Sequence, residues 1–242
     1  MRELDIVGTY NVRDLEGHIT ASGDFFESHV LIRAGNLDKL SEESQQKLLE
    51  YGVKTIMDVR DEWEAEHYPN PFEHSKAISY HNLPLIGDEF SDAVHLEASD
   101  YADLNERYIK YIEKCQTQIG KIISTIIDSE TGIIIHCHAG KDRTGIIIAL
   151  MLASIGVSED EIAEDYVLSH QNIQHLIAEW RTYAESKGHD MAQFERENAT
   201  LPETILTMLA HIEKNFGSVD MYLQHCGLST EQLNLLKTQF LV

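Results

Sequence analysis

The chain has 242 residues, against roughly 150 for an average domain, and is long enough to bury a full core. With 43% apolar and 25% charged residues it has a globular composition, which excludes disorder, collagen-like repeats and low-complexity scaffolds. Nineteen basic against 41 acidic residues give a net charge of −22, which opposes nonspecific binding to nucleic acid or anionic lipid.

Met1-Arg2-Glu3-Leu4-Asp5 lacks the basic-then-apolar order of a secretory signal. Residues 29–33 read as a strand, and Ser41 is placed to cap a helix that runs to Tyr51 and stops at Gly52. Residues 53–60 and 79–85 read as further strands, and strands alternating with helices predict an α/β sheet. Residues 86–100 have no clear periodicity. Ile119, Ile122, Ile123, Ile126 and Ile127 fall on one helical face, ahead of the run 132–136, which suits a strand buried on both sides.

From Thr144 onward the pattern is helical. The nearly apolar stretch 145–157 is interrupted by Ser154 and falls short of the ~20 residues of a membrane span, so it reads as a core helix, without stable membrane insertion. Ser158 and Ser229 open capping-box spacings, Thr200 is placed to cap a helix with Pro202 in its first turn, and 188–199 reads as a charged loop. No linker or repeat divides the sequence, so residues 1–242 read as one domain with a helical C-terminal part. Cys115, Cys137 and Cys226 are too scattered for a disulfide framework and lack paired zinc spacing, which predicts a reducing, cytoplasmic setting; secretion by a signal-independent route stays open.

The informative stretch is His136-Cys137-His138-Ala139-Gly140-Lys141-Asp142-Arg143-Thr144-Gly145, between the buried strand and the core helix. A cysteine at a strand end, five residues, an arginine and a helix start describe a tight loop whose N–H groups turn inward around one anion. A phosphate group fits, bound by residues 138–143. The positive helix end favours a thiolate at Cys137, and the planar fork of Arg143 grips two phosphoryl oxygens, which lysine cannot do. Gly140 frees the sharpest turn and Gly145 lets the helix start pack closely. Adjacent strand residues point to opposite faces, so His136, Cys137 and His138 cannot converge on one metal. Gly140-Lys141 lacks the glycine and the Ser/Thr of a nucleotide-binding loop, having Ile135 and Asp142 in those places.

These residues resemble the signature of the cysteine-dependent protein tyrosine phosphatase superfamily, and Gly-Lys-Asp-Arg-Thr-Gly resembles its bacterial and fungal tyrosine/serine branch. Asn11-Val12-Arg13-Asp14-Leu15, Arg33-Ala34-Gly35, Asp58-Val59-Arg60, and Gly217-Ser218-Val219 with Gly227-Leu228-Ser229 extend the resemblance along the chain. It implies a central, mostly parallel sheet flanked by helices and a phosphomonoester hydrolase without cofactor or metal. The substrates implied are phosphorylated protein or phosphoinositide; the oligomeric state stays open. Cys137 would form a phosphocysteine, Arg143 and the loop amides would stabilise the equatorial oxygens, and Thr144 would bond the sulfur.

The general acid is open between two residues, since neither Trp63 nor Trp180 is followed by proline as in the Trp-Pro-Asp loop of larger relatives. Asp142 sits in the loop itself; Asp88 follows the third strand. Lys141 either adds charge for inositol phosphates or rims the pocket, His136 fixes the loop or tunes Cys137, and Arg13, Arg33 and Arg60 read as paired arginines rather than pocket ligands. A phosphate-binding pseudoenzyme and a sulfur-transfer or arsenate-reducing enzyme are the competing classes. The intact thiol argues against the first, and Asp142 and the lack of nearby resolving cysteines against the second.

Overall fold

A computed structural model describes residues 1–86 and 104–242. Six strands, β1 (Arg2–Glu3), β2 (Arg13–Asp14), β3 (Leu31–Ala34), β4 (Thr55–Asp58), β5 (Ser79–Asn82) and β6 (Ile133–His136), form one sheet in the order β1-β2-β3-β6-β4-β5. The β3, β6, β4 and β5 pairings are parallel, while β1 and β2 add an antiparallel edge. The predicted mostly parallel sheet is therefore present, with strands shorter than the apolar runs suggested.

The isoleucine run explains why β6 is central. Ile133 and Ile135 enter one core with helix α4 (Gln116–Asp128), whose five predicted isoleucines are all buried there. Ile134 points the other way, into a smaller core with Leu48 of helix α1 (Glu42–Tyr51). Alternation along one strand thus fixes a helical layer on each face.

Eleven helices lie among the described residues. After α1 come α2 (Glu62–His67), α3 (Leu104–Lys114), α4, α5 (Asp142–Ser154), α6 (Glu159–Asn172), α7 (Gln174–Lys187), α8 (Met191–Asn198), α9 (Pro202–Phe216), α10 (Val219–His225) and α11 (Thr230–Gln239). Ser41 caps α1 by accepting from the N–H of Ser44, and Gly52 ends it at φ +106°. Ser158 caps α6, and Ser229 with Gln232 completes a capping box on α11. Two expectations need correction. Pro202 does open α9, but Leu201 holds the cap position and the Thr200 hydroxyl has no partner among the described residues. Residues 188–199 are not a loop throughout, because Asp190 accepts from two N–H groups and starts α8. Of the segment 86–100, only Ile86 lies among the described residues. No helix among them is long and apolar enough to cross a membrane.

Candidate active site

The loop 137–141 leaves the C-terminal end of β6 and enters α5 directly. Gly140 makes the turn possible: its φ is +65°, and a Cβ there would stand 2.4 Å from the carbonyl oxygen of Ala34. At Gly145 a Cβ would approach the Tyr166 ring to 3.2 Å, so that glycine seats α5 against α6.

The carbonyls of residues 138–141 are held from outside the loop. The His138 oxygen accepts from Tyr10 Oη at 2.9 Å and from the Asn36 N–H at 2.8 Å. Asn11 Nδ2 donates to the oxygens of Ala139 and Gly140, at 3.1 and 2.9 Å. Arg33 Nη2 donates to Gly140 at 2.6 Å and to Lys141 at 3.3 Å. The N–H groups of residues 138–143, by contrast, donate to no protein acceptor among the described residues. Carbonyls fixed outward with amides left inward make an anion cradle, reinforced by the unpaired N–H groups of the first turn of α5.

Buried charges support this frame. Asp165 on α6 takes ion pairs from both Arg13 and Arg33, and all three side chains are shut off from solvent. Burial opposes ionisation of Asp165, but Arg13 and Arg33 outweigh it and hold the carboxyl far below its ordinary range. Arg60 is bonded to Asp58 and also reaches the side chain of Asn36 and the carbonyl of Tyr68. The three arginines are structural, as pairing suggested.

His136 is fully buried, with Nδ1 3.3 Å from the Cys137 carbonyl and Nε2 3.1 Å from Asn70 Nδ2. Nε2 also stands 3.5 Å from Asp58 Oδ2. Burial holds the ring below the ordinary imidazole range against the pull of Asp58, so it stays neutral at physiological pH.

Cys137 is 2% exposed and lies close enough to Arg143 and Tyr10 to act on both electrostatically. Arg143 is clamped by Glu64 of α2: Nη2 donates to Oε1 at 2.9 Å and Nη1 to Oε2. Burial opposes the arginine's charge, but Glu64 and then Cys137 outweigh it and keep it protonated. Burial likewise opposes ionisation of Glu64, yet Arg143 prevails and its pKa is lowered to about 2. Glu64 also accepts from the Asp61 N–H at 3.2 Å, closing the capping box of α2, so one carboxylate ties helix start to arginine.

Asp142 is the first residue of α5, with its side chain 37% exposed. Its Oδ1 accepts from Tyr108 Oη of α3 at 2.7 Å and stands 3.4 Å from Lys141 Nζ, while Oδ2 has no donor among the described residues. Tyr108 and Tyr166 share a hydroxyl contact at 2.9 Å, and burial followed by the Asp142 charge holds Tyr108 well above the ordinary phenol range. Lys141 does not rim an open pocket. Its side chain is 4% exposed and Nζ donates to the Ala199 carbonyl at 3.1 Å. The Thr144 hydroxyl is buried and unbonded among the described residues, without a bond to the Cys137 sulfur in this state. Asp88 lies outside the described residues.

The profile of a tyrosine phosphatase family matches residues 4–242. The chain belongs to the tyrosine phosphatase family. A tyrosine-protein phosphatase of Nostoc commune is 27% identical over 220 residues, which is 86% of this chain and 73% of the relative. The triple specificity protein phosphatase PtpB of Mycobacterium tuberculosis is 22% identical over 98% of both chains.

In this family member, sequence reasoning missed Glu64, Tyr108 and Asp165, and it named Asn11 for the resemblance without its hold on the loop. The Asp61-x-x-Glu64 capping box was a readable signal for Glu64. Cys115 and Cys226 are buried thiols pushed up to about 11, chiefly by burial, which leaves them inert beside Cys137.

Proposed function

We propose that the chain is a cysteine-dependent phosphomonoester hydrolase acting on phosphotyrosine, with Cys137 as nucleophile and no metal in the reaction. The observation that carries this reading is the cradle: carbonyls of residues 138–141 bonded outward, N–H groups of 138–143 unspent, and Arg143 held beside Cys137 by Glu64. Phosphate oxygens satisfy those amides and that guanidinium together. The cysteine sulfur attacks phosphorus and the P–O bond to the leaving group breaks. Water then attacks the phosphocysteine and releases inorganic phosphate and the thiolate. The thiol supplies the nucleophile and the arginine with its amides supplies the positive charge, so neither task calls for a metal.

Asp142 is the general acid of this proposal. Tyr108 and Lys141 converge on Oδ1, which leaves Oδ2, without a donor among the described residues, to carry a proton to the departing oxygen. The unspent Thr144 hydroxyl is the donor for the sulfur as it leaves in the second step. His136, neutral and buried, fixes the loop rather than exchanging protons.

Among substrates, the phosphorylated protein is favoured over the phosphoinositide, because Lys141 is 4% exposed and its ammonium group is already engaged by the Ala199 carbonyl and Asp142 Oδ1. Phosphoserine and phosphothreonine are further substrates in this reading, in keeping with a relative named for triple specificity. The whole of residues 1–242 acts as one domain, and three free cysteines suit a reducing, cytoplasmic setting. The test is hydrolysis of p-nitrophenyl phosphate with a chelator present. Retained turnover supports the reading, and loss that added divalent metal restores contradicts it.

A further inference from the structure

A concavity of about 420 Å³ opens beside the cradle and shares His138 with it. Five aromatic rings line it. The His138 ring lies 6.1 Å from Tyr68, edge-on, and 6.0 Å from Trp180, and Tyr10 meets His175 edge-on at 5.6 Å. Asp38 and Glu179 stand in the same lining, and neither forms an ion pair among the described residues. Lys39 is the sole lysine or arginine there.

Two observations tie this groove to the reaction. Tyr10 lines the groove and its hydroxyl donates to the His138 carbonyl at 2.9 Å, so the groove begins at the loop residue that follows the nucleophile. Asp38 lines the same concavity as His138, which puts a carboxylate in the groove that the loop residue after the cysteine opens onto. Aromatic faces carry negative potential, and two unpartnered carboxylates add to it. The net charge of −22 gives the surroundings the same sign. Such a lining repels an inositol polyphosphate and attracts a cation with an apolar stem.

Resting on the phosphatase reading above, we propose that this groove receives a lysine or arginine side chain that neighbours the phosphorylated residue of a peptide substrate. Tyr68, Trp180 and His138 pack along the stem and face the cation; Asp38 and Glu179 balance its charge. The site confers a preference for basic phosphopeptides, which the cradle by itself, built for any phosphomonoester, does not express.

The test uses the full chain and three phosphotyrosyl peptides that carry Arg, Ala or Glu at the flanking positions and are otherwise identical. The expected order of kcat/KM is Arg, then Ala, then Glu. Arg over Ala should amount to about tenfold, or ~1.4 kcal/mol, the size of a cation–π contact plus partly solvated carboxylates. The double substitution Asp38→Asn with Glu179→Gln brings the Arg/Ala ratio toward one, Trp180→Leu lowers it, and high salt compresses it. Equal rates on the Arg and Ala peptides, or a ratio that survives the double substitution, overturns the proposal. So does faster hydrolysis of a phosphoinositide in vesicles than of the Arg peptide. Failure of the parent chain to hydrolyse p-nitrophenyl phosphate overturns the phosphatase reading instead, so the two failures are told apart.

Discussion

Replacing Glu64 by glutamine tests how the cradle is held. The carboxylate grips both terminal nitrogens of Arg143, and the two side chains are only 15% and 17% exposed. A glutamine keeps one acceptor but turns an N–H₂ group toward a guanidinium that has only donors, so one arm of the clamp is lost. The Glu64 pKa is lowered from 4.5 to about 2, a difference of about 2.5 units. At 1.36 kcal/mol per unit that is at most about 3.4 kcal/mol, and partial contact with solvent reduces it to roughly 2 kcal/mol. The folded pKa is depressed, so this stability is complete above pH 4.5 and drains away as pH falls toward 2. Urea denaturation of parent and Glu64→Gln should therefore differ by ~2 kcal/mol at pH 7, with a gap that narrows below pH 4.5. In parallel, kcat for p-nitrophenyl phosphate at pH 7 should fall by about ten- to a hundredfold as Arg143 loses its orientation. Equal stabilities at pH 7, or a gap that widens in acid, would refute the reasoning.

Three further outcomes follow from the same geometry. Asp142→Asn should slow phosphotyrosine strongly, roughly 100-fold or more, and aryl phosphates with acidic leaving groups far less; a uniform loss would move the acid to Asp88. Gly140→Ala should destabilise the chain by at least ~1–3 kcal/mol, because its Cβ meets the Ala34 carbonyl at φ +65°, and an unchanged melting temperature would contradict that. Vanadate should raise the melting temperature of the parent and do so much less in Arg143→Lys, where a point charge replaces the fork; equal shifts would remove Arg143 from the anion site.

The parts of the site that neighbour one another in sequence were legible, and the parts assembled across the chain were not. The decapeptide 136–145 states its own strand, loop and helix because β-branched residues, a glycine turn and a helix start occupy consecutive positions. Ser41, Gly52 and Ser229 likewise announced their helix ends through local chemistry. Asp165 lies 152 residues from Arg13 and 132 from Arg33, and no local pattern pairs them. Helix α2 has six residues, too few for periodicity to show, so Glu64 went unread although its capping box was present. Lys141 appeared to face the pocket because lysine is seldom buried; only the fold brings the Ala199 carbonyl to its ammonium group. Helix α8 was read as a loop because its charged residues mask the cap at Asp190.

The central claim is that the phosphoryl group passes through the Cys137 sulfur. Mixing the enzyme with a phosphate-labelled aryl phosphate, quenching within one turnover and mapping the labelled peptide by mass spectrometry tests it directly. The account predicts a thiophosphate on the peptide containing Cys137, and neither label nor turnover in Cys137→Ser, although that variant still binds phosphotyrosine through the amides and Arg143. Label on another residue, or turnover in Cys137→Ser equal to the parent, would contradict it.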